Sequence, residues 1–202
     1  MGISERKERE KIEMKSLILK AAQRQFLELG YDKTSIRSIA KEIEFSPATL
    51  YLYYKDKNEL LYDLHTEGFK LLFARMVPLA NIKDPMQRIY KTGLAYLNFA
   101  FENPEYYELM FMMTAPMECM TDKDWKEGDQ AFGFLVSSIE ECKQKGHFKK
   151  HESGSLAYLL WSNVHGLASL KIKDRMRVCD ETGNKADVYT AYEYFFNMIK
   201  KN

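Results

Sequence analysis

The stretch SPATLYLYYKDKNELL, Ser46–Leu61, contains the starts of two helices. Ser46 is a favourable N-cap, and Pro47 suits the first helical position, where a missing N–H breaks no hydrogen bond. Asp56 and Glu59 have the spacing of a capping box, the usual start of a longer helix. The stretch therefore predicts a short helix followed at once by a longer one.

Two further helices are predicted upstream of this stretch. From Ile18 onward, apolar residues recur at helical spacing up to Gly30, a residue type that often ends helices. A second apolar stripe begins at Ile36, after Thr34 and Ser35, either of which can cap a helix. This second helix and the short third one are separated by only a few residues. That arrangement has the length and turn of a helix-turn-helix, a motif in which the second helix lies in the major groove of DNA.

The side chains of the short helix are predicted to divide between an inward and an outward face. Leu50 and Tyr54 are four residues apart and should pack inward. The outward face has no Lys or Arg, and its apolar and hydroxyl groups suit thymine methyls, phosphates or base edges. It comprises Pro47, Ala48, Thr49, Leu52 and Tyr53. The tyrosines are expected to bury part of each ring while the hydroxyl stays free to bond.

Charged residues and further hydroxyls surround this short helix. Lys55 and Lys57 follow it, and Arg37 lies near the start of the preceding helix. A helix N-terminus attracts phosphate through its free N–H groups, so Thr34 and Ser35 are candidate phosphate anchors. The alternative is that the hydroxyls only cap helices and that the lysines are solvated surface.

From Lys15 to Leu64 the sequence resembles the DNA-binding domain of the TetR family of bacterial transcriptional regulators. The resemblance is carried by a first helix ending in LELGYDKTS, by SIRSIAKEI, and by the Ser, Thr-Leu-Tyr, aromatic pair and Lys of SPATLYLYYKDKNELL. It implies operator contacts from Ser35, Arg37, Pro47, Ala48, Thr49, Tyr51, Tyr53 and Lys57, with Thr49 and Lys57 holding phosphates. Thr34 and Ser46, at the two capping positions, complete the candidate set.

The chain also departs from the family pattern. Glu44-Phe45 stands where the family often has Gly-Val, so the turn requires Glu44 to accept its backbone angles. Ala48 stands where a Gly often precedes the Thr, and Leu52 occupies a position that is frequently polar. Direct readout of bases through hydrogen bonds is therefore expected to be sparse, and no operator sequence is predicted.

The remaining sequence predicts more helices and no strand. The helix that opens at Asp56 is expected to run to about Met76, and others should begin at Asp84-Pro85 and Asn103-Pro104. Further helices are expected at about 124–145, 152–176 and 186–201. The predicted fold is all-α, with a three-helix DNA-binding domain at 1–57 and a larger helical domain at 58–202. The resemblance implies that this larger domain binds a ligand and dimerises.

The last two predicted helices have features suited to a dimer interface. The first of them carries small residues, a Trp and a His-Gly pair, which looks like the family's penultimate helix, and the last has two apolar faces. Two such helices from each of two subunits make a four-helix bundle. The candidate interface residues are His165, Ala168, Tyr189, Tyr192 and Phe196. The alternative is that both apolar faces are internal core.

A ligand pocket is predicted around Tyr106–Met120, which holds five of the 11 methionines. Methionine adapts to irregular space, so this segment can line a cavity for an apolar ligand. The candidate pocket residues are Tyr96, Phe99, Met110, Met113 and Trp161. The alternative is that such a segment simply fills a core.

Composition argues against several other classes of function. With 30 Lys+Arg against 29 Asp+Glu the net charge is +1, so any charged site must be local. The three cysteines fit no disulfide or metal pattern, which favours reduced thiols in the cytoplasm, and no signal peptide or membrane span is predicted. His147 and His151 have no further His or thiol nearby, so no metal site is expected. No cofactor and no enzyme motif is recognised.

These observations together predict a homodimeric regulator that binds double-stranded operator DNA. A repressor released by a small, apolar ligand is the preferred hypothesis. Two alternatives stay open at this point: a DNA-binding protein that responds to no ligand, and a helical carrier of apolar molecules whose helix-turn-helix is vestigial.

Overall fold

The computed structural model describes residues 3–114, 126–177 and 187–200. These residues form helices and connecting turns with no strand, which confirms the all-α prediction. None of the described helices is long and apolar enough to cross a membrane. The helices are α1 (Ile3–Leu29), α2 (Ile36–Glu42), α3 (Pro47–Tyr51), α4 (Lys57–Met76), α5 (Pro85–Glu102), α6 (Pro104–Tyr107), α7 (Lys126–Gln144), α8 (Ser153–Ile172) and α9 (Val188–Lys200), with a 3₁₀ turn at Val77–Asn81 and a π-helix at Glu108–Met112.

Helix α1 is longer than the apolar pattern indicates. It begins at Ile3, about four turns before Ile18, the first fully buried residue of its stripe. The first turns are exposed on all sides, and they contain two ion pairs at i,i+4 spacing, Arg6–Glu10 at 2.8 Å and Arg9–Glu13 at 3.6 Å. Such pairs contribute a few tenths of a kcal/mol each to a solvated helix, about 0.2–0.5.

One compact unit contains the described residues up to Gly68 together with 105–114. Its core is built from buried side chains of α1 to α4, of the turn that joins α3 to α4, and of the π-helix. They are Ile18, Ala21, Ala22, Phe26, Ile36, Ile39, Ala40, Leu50, Tyr54, Leu60, Leu61, Leu64 and Leu109. Gly68 allows the π-helix to approach α4, since a Cβ built there would lie 2.4 Å from the sulfur of Met110. The domain boundary after residue 57 stays a prediction.

A second compact unit contains the described residues from Phe69 to Pro104 and from Lys126 onward. In it α5, α7 and α8 pack against one another, and α9 packs on α5 and α8. The approach of α9 to α5 depends on Gly93, because a Cβ at that position would lie 2.0 Å from the phenolic oxygen of Tyr192. That oxygen donates to the carbonyl of Tyr90 at 3.2 Å, and the two tyrosine rings stack 5.5 Å apart.

An ion pair joins α5 to α7 in this second unit. Nη1 of Arg88 donates to Oε1 of Glu141 at 2.8 Å, and Nη2 donates to Oε2 at 2.5 Å. The side chain of Arg88 is 9% exposed and that of Glu141 is 43% exposed. The hydrogen bonds from Arg88 hold the pKa of Glu141 below its usual value. The Arg88 guanidinium is therefore buried, and it is paired through two hydrogen bonds with a carboxylate that is partly exposed to solvent.

Candidate nucleic-acid interface

The start of α2 is fixed by reciprocal hydrogen bonds. The side chain of Ser35 accepts from the backbone N–H of Ser38, and the side chain of Ser38 accepts from the backbone N–H of Ser35, each at 3.0 Å. The hydroxyl of Ser38 also donates to Oε1 of Gln25 on α1 at 2.7 Å. Ser35 and Arg37 both lie exposed at this helix start. A serine therefore fills the role that Glu or Gln has in the usual capping box.

Thr34 differs from its predicted role. Its side chain is 1% exposed, and its hydroxyl donates to the carbonyl of Gly30 at 2.8 Å. Gly30 has φ of 82°, the left-handed conformation that ends α1. Thr34 thus stabilises the end of α1 and does not present its side chain to a phosphate, in contrast to our prediction.

The turn between α2 and α3 is a Schellman motif with a non-glycine residue in the left-handed position. The N–H of Phe45 donates to the carbonyl of Ala40 at 2.9 Å, and that of Glu44 donates to Lys41 at 3.3 Å. Glu44 has φ of 60°, a conformation that costs a side-chain-bearing residue about 1–2 kcal/mol. The turn that the family usually builds with Gly is therefore formed here by Glu44 at the expense of strain.

Helix α3 presents a capped start and two distinct faces. The side chain of Ser46 accepts from the N–H of Thr49 at 3.1 Å, and the two hydroxyl oxygens lie 2.9 Å apart. Leu50 and Tyr54 are buried in the core, as predicted from their spacing. On the opposite face Pro47, Ala48 and Leu52 are exposed, Leu52 to 82%, whereas Thr49 is half-buried.

The remaining candidates on this stretch differ in exposure. Pro47, Ala48 and Tyr51 are exposed, whereas Tyr53 is half-buried and packs against the core. Burial, together with the nearby charge of Asp63, raises the pKa of Tyr54. The expectation that each tyrosine leaves its hydroxyl free therefore does not extend to Tyr54, whose phenol lies inside the domain.

Lys57 begins α4 with its ammonium group fixed on Tyr31. Nζ donates to the backbone carbonyl of Tyr31 at 2.8 Å and lies 3.9 Å from the centroid of the same ring. The Tyr31 hydroxyl in turn donates to the side-chain carbonyl of Asn58. Since a lysine ammonium has three donors, this contact orients Lys57 while leaving donors for a further partner. Lys55 is exposed.

The five candidate pocket residues are divided between the two compact units. Tyr96 and Trp161 lie together in the second unit, where the indole N–H donates to the Tyr96 hydroxyl at 3.3 Å. The same hydroxyl lies 3.1 Å from Nδ1 of His165, whose pKa is lowered by burial. Phe99 is fully buried in this unit.

The two methionines of the pocket prediction belong to the first unit. Met110 is buried beside Gly68, and Met113 packs against the core that contains Leu50. At this end of the Met-rich segment, Met110 and Met113 fill core space, as in the alternative interpretation. Residues 115–120 of the segment lie outside the described residues.

The candidate dimer residues are placed both inside and outside the core. Ala168, Tyr192 and Phe196 are buried within a single chain, so they offer no surface to a partner. His165 is half-buried, and Tyr189 is exposed with its hydroxyl donating to Oδ1 of Asn98 at 2.8 Å. Other large apolar side chains of α8 and α9 are exposed and were missed. They are Tyr158, Leu159, Leu170, Tyr194 and Met198.

The described part of the chain has no grouping of His, Cys, Asp and Glu side chains that could hold a metal ion. Cys142 is buried, and that burial, with the nearby charge of Asp84, raises the pKa of its thiol to about 11. The thiol is therefore protonated and unreactive at neutral pH. Cys119 and Cys179 lie outside the described residues.

Comparison with known proteins places both halves of the chain in one family. The model for bacterial regulatory proteins of the tetR family matches residues 18–64, and the model for the tetracyclin repressor-like C-terminal domain matches residues 89–191. The chain is 36% identical over 152 residues to the uncharacterized HTH-type transcriptional regulator YhgD of Bacillus subtilis, covering 74% of this chain and 79% of YhgD.

Two further similarities agree with this result. The uncharacterized HTH-type transcriptional regulator YuxN of Bacillus subtilis is 31% identical over 134 residues, which cover 66% of this chain but only 40% of YuxN. A solved structure of a putative TetR-family transcriptional regulator from Syntrophomonas wolfei has the same fold, with a TM-score of 0.71, 20% identity and 93% of each chain covered. Given the helix-turn-helix geometry and the family matches in both halves, the chain belongs to the TetR family of bacterial transcriptional regulators.

Proposed function

We propose that this protein is a homodimeric repressor that holds α3 in the major groove of operator DNA and is released by a small, apolar ligand. The observation that carries the proposal is the exposed outer face of α3, next to the exposed start of α2. A helix that is buried on one side by Leu50 and Tyr54 and open on the other has the form of a recognition helix.

The phosphate contacts are assigned to groups at the edges of this face. Ser35 and Arg37 lie exposed at the start of α2, and Ser46 and Thr49 lie at the start of α3. Their position suits phosphate oxygens, because helix N-termini offer free N–H groups and a positive dipole end. Lys57 approaches a phosphate with an ammonium already oriented by Tyr31. Pro47, Ala48, Tyr51 and Tyr53 lie towards the groove.

The dimer is proposed to form through the exposed apolar residues of α8 and α9. Tyr158 and Leu170 of α8, with Tyr194 and Met198 of α9, are large apolar side chains on the surface of a single chain. Burying them against a second copy removes apolar surface from water. A dimer would also set the separation of two recognition helices, which must be about 34–36 Å for successive major grooves.

The ligand site is proposed to lie in the second unit near Tyr96 and Trp161. These aromatic rings provide apolar surface, and the hydroxyl of Tyr96, with His165 beside it, provides a polar group inside it. A mainly apolar pocket with few polar groups is typical of small-molecule sites. Ligand and DNA would be coupled because a ligand that prefers the wrong helix spacing shifts the dimer population away from the operator. We place this activity in the cytoplasm, where bacterial DNA is.

The proposal is tested by binding of the purified full-length protein to duplexes from a random-sequence library, followed by affinity measurements on selected duplexes across a salt series. Tight, sequence-selective binding with a steep salt dependence is expected. Lys57→Ala should weaken binding to all sequences and lower the salt slope by about one per subunit, and Thr49→Ala should also weaken binding.

A matched control is Lys150→Ala, which removes an exposed lysine outside the helix-turn-helix and should leave the salt slope unchanged. Circular dichroism establishes that Lys57→Ala remains folded, and mass measurement establishes the dimer. Equal salt slopes for Lys57→Ala and the wild type would remove the phosphate assignment. Sequence-blind, weak binding by a ligand-free dimer would refute the repressor itself.

A further inference from the structure

Two exposed alkyl side chains, Ala48 and Leu52, form a ridge on the side of α3 away from the core. Ala48 lies in α3 and Leu52 is its C-cap, with helical φ of −72° and ψ of −19°, so the two residues, four apart, share a face. That face is opposite the one formed by Leu50 and Tyr54, which are buried. Leu52 is the most exposed large apolar side chain among the described residues, at 82%. Exposing it to water has no structural benefit within the domain.

Charged groups are absent from this ridge. The sequence from Phe45 to Tyr54 contains no Asp, Glu, Lys or Arg, and the nearest charged residues are Glu44 and Lys55. Arg–guanine and Lys–guanine pairs, the commonest specific contacts in the major groove, are therefore not available from α3. Asn and Gln, which pair with adenine, are also missing from this stretch.

The hydroxyl groups of α3 lie to the side of the ridge. Those of Ser46 and Thr49 are within 2.9 Å of each other at the helix start. Tyr53 is half-buried, and Tyr51 is exposed on the flank of the ridge. The two side chains on the exposed face opposite Leu50 and Tyr54 are thus alkyl groups.

In the major groove the one base substituent that an alkyl side chain can recognise is the C5-methyl group of thymine. We propose that Ala48 and Leu52 read thymine methyl groups, so that each operator half-site is specified mainly by apolar contact at thymines. This inference rests on the proposed function, because it assigns the chemistry by which the same helix recognises DNA. It makes Leu52 a specificity-determining residue.

The test uses duplexes selected from a random-sequence library by the full-length protein. Each thymine of a selected duplex is replaced in turn by deoxyuridine, which removes the methyl group and keeps the hydrogen-bonding pattern. At the thymines beneath the ridge, affinity should fall about fourfold per methyl and about fifteen-fold when both half-sites are changed. Deoxyuridine elsewhere in the duplex should have little effect.

Leu52→Ala links the effect to the side chain. This variant should bind the thymine duplex more weakly than the wild type does and should lose most of its discrimination against deoxyuridine at the same position. Leu71→Ala, the same substitution at an exposed leucine of α4 outside the helix-turn-helix, should keep the full discrimination. Because Leu52 is exposed, Leu52→Ala is not expected to impair folding.

The possible outcomes separate the two proposals. Selected duplexes that tolerate deoxyuridine at every position, or equal discrimination by Leu52→Ala and the wild type, would overturn the methyl readout while leaving a DNA-binding regulator. Failure to select any sequence from the library would overturn the proposed function and the inference with it.

Discussion

Replacing Gly93 by Ala should destabilise the protein, although alanine is the better helix former. A Cβ on Gly93 would lie 2.0 Å from the phenolic oxygen of Tyr192 and 2.4 Å from Cζ, so the ring must move. Movement disturbs its hydrogen bond to Tyr90 and the stacking of the two rings. Overpacking of this kind costs about 1–3 kcal/mol and a lost hydrogen bond about 1 kcal/mol. Alanine returns about 0.5–1 kcal/mol through backbone entropy, which leaves a net loss of about 1–3.5 kcal/mol.

The matched control is Gly133→Ala, the same substitution inside α7. A Cβ there meets no atom within 4 Å, so only the gain of about 0.5–1 kcal/mol should remain. Both glycines lie in the same compact unit, so separate unfolding of the other unit does not affect the comparison. The measurement is urea unfolding of the full-length protein at 25 °C followed by circular dichroism. If both variants shift the urea midpoint in the same direction, the result would contradict the close approach of α9 to α5 at Gly93.

Three further predictions concern stability. Glu44→Gly relieves the left-handed strain in the turn and should raise the free energy of unfolding by about 1 kcal/mol, or the melting temperature by about 2–4 °C, whereas Glu44→Ala should give no such gain. Burial lowers the pKa of His65 from 6.5 to about 4, against a weaker opposing hydrogen bond to Met110. As the pH falls, the unfolded state is therefore protonated at His65 before the folded state is. The free energy of unfolding should have its full value above pH 6.5 and decrease as the pH drops towards 4. Urea unfolding of His65→Gln should show a flatter dependence between pH 6.5 and 5, and an equal slope would contradict the assignment. Glu141→Gln removes the charge that faces Arg88 and should cost about 1–2 kcal/mol at pH 7, less than a fully buried pair because Glu141 reaches solvent. The difference in unfolding free energy between this variant and the wild type should shrink as the pH falls below 4.5, because Glu141 is protonated as the pH passes through its lowered pKa. A difference in urea midpoints that stays constant with pH would refute this role of the ion pair.

Local sequence signals predicted the helix-turn-helix well. The caps at Ser35 and Ser46 and the inward pair Leu50 and Tyr54 follow from interactions within one or two turns, and the structure confirms them. The demand on the backbone of Glu44 came from the resemblance, because the family often has Gly at this position, and the structure gives Glu44 a φ of 60°. Helix caps and the spacing of inward side chains depend little on the rest of the fold.

The errors arose where a residue has two candidate partners and the local pattern fits both. Thr34 is a residue type that often caps a helix N-terminus, but its hydroxyl donates to the carbonyl of Gly30. Tyr192 and Phe196 lie on an apolar face whose partner is the chain's own α5 and α8, and no periodicity distinguishes this from a second subunit. The exposed face could have been found from Tyr194 and Met198, an apolar pair at i,i+4.

The core beneath α3 is assembled from two separate lengths of chain. Leu109, about forty residues beyond Gly68, is fully buried among side chains of α1 to α4. A gene fragment that stops at Gly68 would encode α1 to α3 and part of α4 without one of the side chains of their core. It would leave apolar surface exposed to water. Hybrid regulators made by exchanging N-terminal segments between relatives would therefore join mismatched halves of one core, and a working exchange has to transplant the stretch around Leu109 as well.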